Sequence, residues 1–241
     1  MSATRSQPPR APWDNFPDVL IHAPESQVKQ HPAYRAAKSG DDLAAVELVA
    51  DTLNLEQVEK LRDMMQGHTP VLVSAHAFES QGVNAIPEAL ADAVGQHLGY
   101  PVDPGIVQSN IVAHTGADGF SRLARQAKFD GPVAAGAEYV MVDDFVGMGG
   151  TLANLRGHLL QHGGRVLAAV ALTGKPYSAR LALTPQRLDE LRQTHGPDLE
   201  NWWQARFAHA FDALTESEAR YLARTPDADT IRNRIAAAEQ A

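Results

Sequence analysis

In the run from Tyr139 to Thr151, two adjacent acids, Asp143 and Asp144, are followed by Phe145, Val146 and a bend made of Gly147, Met148, Gly149 and Gly150. Apolar β-forming residues precede the acids, and helical sequence follows from about Thr151 to Gln161. Glycines leave a bend bare, so the free N–H groups of the following helix start can cradle an anion there. The helix dipole adds about 0.3–1 kcal/mol to that preference. Two carboxylates are acceptor-only groups suited to two neighbouring hydroxyls, such as those of a ribose whose phosphate sits in the bend, with Thr151 adding a hydroxyl. Side chains of consecutive strand residues face opposite ways, so the pair can serve one ligand where the strand turns into the loop. The plainer reading, a strand-to-helix loop with a capping acid, fits Asp41 and Asp42, which have no buried strand or glycine bend beside them.

This segment resembles the phosphoribosyl pyrophosphate signature of the type I phosphoribosyltransferases. The resemblance spans roughly residues 69–175. It implies that Asp143 and Asp144 hold the ribose hydroxyls and that Gly147, Met148, Gly149, Gly150 and Thr151 wrap the 5′-phosphate. It also implies that the first loop, with Ala77, Phe78, Glu79, Ser80, Gln81 and Gly82, takes pyrophosphate. Lys175 resembles a lysine with which purine-type members meet the base, and magnesium would be carried in on the diphosphate. Two departures stand out. Family members often have Thr or Ser where this chain has Gly147 and Met148, and this first loop lacks a basic residue followed by glycines.

Departure of pyrophosphate leaves positive charge on the sugar, which water must not reach, so a lid is expected. Residues 114–129 suit it, with Arg122 the first choice to close over pyrophosphate and Arg125 and Lys128 beside it; a solvated polar face is the alternative. His158 and His162 have zinc-compatible spacing without the glutamate of a metalloprotease helix, and no metal site is assigned. His76 and Glu79 border the first strand, where either a site or a backbone partner accounts for them. Trp202 and Trp203 read as hood packing or a contact between copies, which leaves room for a homodimer.

These residues need a scaffold. Strands at about 69–74, 105–113, 139–142 and 165–172, with helical stretches between, imply an α/β fold: a mostly parallel sheet with helices on both faces, phosphoribosyltransferase-like. Pro87 and Gly99 bound one crossover helix, and Asp41 caps an earlier one. The expected organisation is a flexible proline-rich arm (1–17), an N-terminal helical segment (18–68), the core (69–175) and a helical C-terminal cap (176–241). In the cap, helices are expected at 185–195, 198–211, 215–224 and 227–239, with Thr215 to Glu218 forming a capping box.

The 241 residues, 44% hydrophobic, are enough for one sizeable domain. A net charge of −8 speaks against duplex nucleic acid as a partner. With no cysteine there is no disulfide or thiolate chemistry, and no apolar run suggests a leader or membrane span. The expectation is a cytoplasmic phosphoribosyltransferase acting on a small nitrogen heterocycle, without nucleic-acid or membrane partners. Two alternatives stay open: a non-enzymatic regulator that keeps the phosphoribosyl site, favoured by the missing basic residue of the first loop, and a phosphate-ester hydrolase using the acids for a metal.

Overall fold

Along the run from Tyr139 to Val142 every side chain is buried, and alternate residues enter different cores, as a strand covered on both faces requires. A computed structural model of the protein describes residues 7–75, 78–79, 82–110 and 118–240. The elements in chain order are β1 (Leu20–Pro24), α1 (Glu25–Lys29), α2 (Tyr34–Lys38), α3 (Asp42–Thr52), α4 (Leu55–Met65), β2 (Val71–Ser74), β3 (Phe78–Glu79), β4 (Gly82–Val83), α5 (Ile86–Leu98), β5 (Val102–Asp103), β6 (Val107–Gln108), α6 (Gly119–Ala124), β7 (Phe129–Asp130), β8 (Glu138–Val146), α7 (Gly150–Gln161), β9 (Arg165–Gly174), α8 (Pro185–Phe207), α9 (Glu216–Ala223) and α10 (Ala228–Gln240).

The main sheet has the order β1-β9-β8-β2-β5, and every neighbouring pair is parallel. Val140 and Val142 of β8 join Leu72, Val170 and Leu172 under α2 to α5, where Leu48, Leu61, Leu90 and Val94 close the first core. Tyr139 and Met141 face the other way, onto Leu152, Leu155 and Leu159 of α7. A third core, separate from the sheet, holds Phe120, Leu123, Leu199, Trp203, Phe207, Phe211 and Ile231 from α6 and the C-terminal helices. The α/β expectation therefore holds, as do the caps: Asp41 accepts from Ala44 N, Gly99 ends α5 at φ 71°, and the capping box at Thr215 and Glu218 forms.

Four expectations are corrected. The segment 18–68 is not wholly helical, because Leu20–Pro24 forms β1, an edge strand paired with β9. The strand expected at 105–113 is only Val107–Gln108, joined to β7 in a small antiparallel pair outside the sheet; residues 111–113 lie outside the described residues. Residues 7–17 are not loose. Arg156 donates to the carbonyls of Ala11 and Pro12, its guanidinium lies 4.6 Å from the Trp13 ring, and Trp13 and Phe16 pack on the second core. The acids lie inside β8 rather than at its junction with the loop.

Candidate functional site

The local geometry of the sheet explains how acids inside a strand still open onto a cavity. β2 stops at Ser74, level with Val142, and Ala75 N makes the last bond to the Val142 carbonyl. β8 runs on to Val146 with β9 alone beside it. The space beyond the end of β2 is a cavity of about 290 Å³ lined by Ala75, Asn84, Asp143, Asp144, Phe145 and the bend from Gly147 to Thr151, with Arg122 and Arg125 also in its wall.

The two acids act as one group. Asp143 Oδ1 accepts from Asp144 N at 2.8 Å, and the two carboxyls are hydrogen-bonded to each other. Burial, then the charge of Asp144 and the bond to it, push the Asp143 carboxyl well above the usual carboxylate range. Burial pushes Asp144 the same way, but the charge and hydrogen bond of Lys38, with bonds from Asp143 and Asn84, outweigh it and hold its pKa below the ordinary value. Lys38 Nζ stands 2.8 Å from Asp144 Oδ2. These opposite shifts favour a proton on Asp143 and negative charge on Asp144, an arrangement with both a donor and acceptors for a ligand's hydroxyls.

Also in the cavity wall, Gly149 has φ 82° and caps α7, which begins at Gly150. Among the described residues no acceptor meets the N–H groups of Gly150, Thr151 or Leu152, the orphan donors of a helix start. The bend is held from behind. Thr215 Oγ1 donates to the Met148 carbonyl at 2.6 Å, and the Met148 side chain packs on the third core. Arg10 reaches in from the N-terminal strap, giving Nε to Asn154 Oδ1 at 2.6 Å and both terminal nitrogens to Glu218 at 2.6 and 3.0 Å. That ion pair is almost wholly buried.

Asp143, Asp144, Gly147, Met148, Gly149, Gly150, Thr151 and Arg122 are therefore brought to one cavity, and Arg125 lines it too. Lys128 and Lys175 are not among its walls. Lys175 pairs with Glu25, which also binds Lys29, and it is Lys29 that lines the cavity, 4.6 Å from the centre of the Phe145 ring. Of the first-loop residues, His76, Ala77, Ser80 and Gln81 lie outside the described residues, while Phe78–Glu79 pairs antiparallel with Gly82–Val83. The segment expected as a lid is described from Asp118 onward; residues 114–117 lie outside the described residues. Its described part is built into the C-terminal lobe, with Phe120 and Leu123 buried in the third core. His158 and His162 bond the backbone carbonyls of Gly131 and His158, the plain structural outcome. Trp203 is fully buried inside its lobe, and Trp202 packs beside it.

Sequence reasoning missed Arg10, Lys29, Tyr34, Lys38, Asn84, Asn154 and Glu218 as cavity residues. No spacing signal marks them, since tertiary packing gathers them from the N-terminal strap of residues 7–17, α1, α2, the link between β4 and α5, α7 and α9. Glu218 shows why: its local role in the capping box is visible in the sequence, whereas its contact with Arg10 is not.

No family model matches the chain. The chain is 39% identical over 233 residues to the TraN protein of Escherichia coli, a match covering 97% of this chain and 52% of that protein. It is 36% identical over 162 residues to a protein of Haemophilus influenzae, covering 67% of this chain and 36% of the relative. The chain thus spans about half the length of the first relative and about a third of the second. Among solved structures it is similar to the adenine phosphoribosyltransferase of Leishmania donovani, at 13% identity and a TM-score of 0.34, over 69% of this chain and 76% of that one. At that TM-score the fold assignment stands on the chain's own sheet, five parallel strands covered on both faces. No helix among the described residues is long and apolar enough to cross a membrane.

Proposed function

We propose that the cavity binds a phosphoribosyl group and that the chain transfers ribose 5-phosphate between pyrophosphate and a nitrogen heterocycle. The observation that carries this reading is that one cavity is lined both by the buried Asp143–Asp144 pair and by the glycine bend at the start of α7. The acids would take the ribose 2′ and 3′ hydroxyls, and the bend would take the 5′-phosphate. In the reaction the bond from ribose C1 to the pyrophosphate oxygen breaks and a bond from C1 to a ring nitrogen forms, with pyrophosphate carrying away the electron pair and the heterocycle's N–H proton passing to pyrophosphate or solvent. The negative Asp144 keeps the sugar's developing positive charge in a favourable field while the walls restrict water.

The acid pair is a poor site for a resident divalent ion, because an ammonium already stands 2.8 Å from Asp144 Oδ2. That argues against the hydrolase reading. Magnesium would arrive on the diphosphate, where it neutralises charge on the leaving group. One observation favours the non-enzymatic regulator as a second reading: Lys175, the residue expected at the base, is turned to Glu25 outside the cavity.

Calorimetry with phosphoribosyl pyrophosphate, followed by an assay of pyrophosphate release against a panel of heterocycles, tests both. Binding with release supports the transferase, and binding without release across the panel supports the regulator. Asp144→Asn should weaken binding by about 1.5–3 kcal/mol, the worth of a hydrogen bond to a charged group. Unchanged affinity would remove the ribose assignment.

A further inference from the structure

Three side-chain positions in the bend could reach a bound phosphate, and two of them offer no donor. Gly147 has no side chain, and the Met148 side chain is turned into the C-terminal lobe. Only Thr151 carries a hydroxyl. The structure fills the vacated space with a charge: a Cβ placed on Gly147 would stand 3.1 Å from Arg122 Nη1. Ordinary Cβ contacts are seldom so close, and the Phe145 ring stands equally near at 3.1 Å, so a side chain at 147 would crowd both the ring and the guanidinium.

The helix that presents Arg122 is fixed. Asp118 caps α6 by accepting from Ser121 N at 2.8 Å, Phe120 meets the Tyr221 ring edge-on with centroids 5.1 Å apart, and Arg125 Nε donates to the Ala238 carbonyl at 3.0 Å. Gly119 lies directly under Tyr221, where a Cβ would come within 2.3 Å of the ring. Arg122 thus belongs to a packed wall at the glycine bend.

We propose that Arg122 is a specificity-determining clamp for the 5′-phosphate, and that Gly147 exists to admit it, so that one guanidinium replaces hydroxyl donors on the bend. The inference rests on the phosphoribosyl reading above and moves Arg122 from the leaving pyrophosphate to the opposite end of the substrate. A planar guanidinium can give two parallel N–H bonds to a phosphate, which suits a dianionic monoester and gives nothing to an unphosphorylated sugar. The site would therefore select ribose 5-phosphate compounds over nucleosides through this one side chain.

The test compares ribose 5-phosphate, ribose and inorganic pyrophosphate by calorimetry on the full chain, with thermal unfolding as a check on each variant. Arg122→Met should lower affinity for ribose 5-phosphate about 10- to 100-fold, leave pyrophosphate affinity unchanged and preserve the fold. Arg122→Lys should recover part of the loss. Gly147→Thr should weaken ribose 5-phosphate binding in the wild-type background by pushing the guanidinium aside, yet strengthen it in the Arg122→Met background by supplying a hydroxyl. That reversal of sign is not expected of a residue that merely supports the wall. Weakened pyrophosphate binding with unchanged ribose 5-phosphate binding would overturn the clamp, and so would additive effects of the two substitutions. Asp144→Asn separates the clamp from the reading beneath it. A loss in Asp144→Asn with none in Arg122→Met sinks the clamp alone, whereas the converse leaves the phosphate grip standing and removes the ribose reading. A wild-type chain that binds no phosphorylated sugar takes both down.

Discussion

Lys38 biases the acid pair toward negative charge on Asp144. Without it, burial acts on Asp143 and Asp144 alike, and two like charges so close cannot both persist. With its ammonium 2.8 Å from Asp144 Oδ2, Asp144 is held below its ordinary pKa while Asp143 is pushed above its own, so the proton favours Asp143. Removing one partner of a fully buried pair costs about 3–5 kcal/mol. Lys38 keeps about a quarter of its side chain exposed, so solvent screening reduces the expected loss for Lys38→Met to roughly 1–3 kcal/mol at neutral pH. The deficit should shrink as pH falls, because in the variant Asp144 is still buried but has lost the ammonium and so takes up a proton more readily, whereas in the parent it stays ionised. Urea unfolding of both proteins across pH 5 to 8 measures this, and a deficit that stays constant contradicts it. Of this arrangement only the acids and the bend were legible in the sequence. Lys38 ends a five-residue helix outside the resembling segment, and no periodicity or spacing ties it to residues a hundred positions later.

At the scale of elements, the strap and α7 depend on one missing side chain. A Cβ on Gly157 would lie 1.9 Å from the Pro9 carbonyl oxygen, so the N-terminal backbone rests directly against the helix there. Glycine inside a helix is ordinarily a weakness, and its replacement by alanine gains up to about 1 kcal/mol. Here the sign should reverse. Gly157→Ala is expected to push the strap away, uncover Trp13 and loosen Arg10 from Asn154 and Glu218. Limited proteolysis should then cut before residue 18 faster than in the parent, with a lower melting temperature. Equal cleavage and a higher melting temperature would show that the strap does not bear on α7. The prolines that made this segment read as a loose arm do exclude helix, but they also suit an extended strap, and the sequence alone does not distinguish the two. β1 escaped notice for a related reason: it is an edge strand of five residues, and its partner β9 lies some 150 positions away. Helix ends were legible because their signals are local. Asp41, Gly99 and the Thr215–Glu218 box each act within a few residues, as does Gly196, whose φ of 71° breaks α8 where two helices were expected.

Across the whole molecule, stability is shared by three cores, and two buried histidines, His22 and His209, resist protonation. His22, on β1, contacts the Asn54 backbone through Nδ1, and His209 contacts the Ala210 carbonyl through Nδ1. The Nε2 of each is buried with no hydrogen-bond partner among the described residues. Burial lowers both pKa values to about 4; at His209 the nearby charge of Arg10 adds to the effect. The unfolded chain takes up protons at these rings near pH 6.5, whereas the folded chain resists until about pH 4. The unfolded state therefore binds more protons in that window. The stability these rings contribute is complete above pH 6.5 and drains away as pH falls toward 4. At 1.4 kcal/mol per unit, each ring accounts for roughly 1–3 kcal/mol across the window. Asp143 has the opposite sign: its share is full below its ordinary value of 3.8 and is lost as pH rises through its elevated pKa. Melting temperatures measured from pH 7 to 4.5 should fall by several degrees in the parent, and by less in His22→Phe and in His209→Phe, whatever each substitution does to stability at pH 7. The comparison is between slopes, which separates proton uptake from packing. Parallel slopes in all three proteins would mean that these rings do not set the acid limit of the fold.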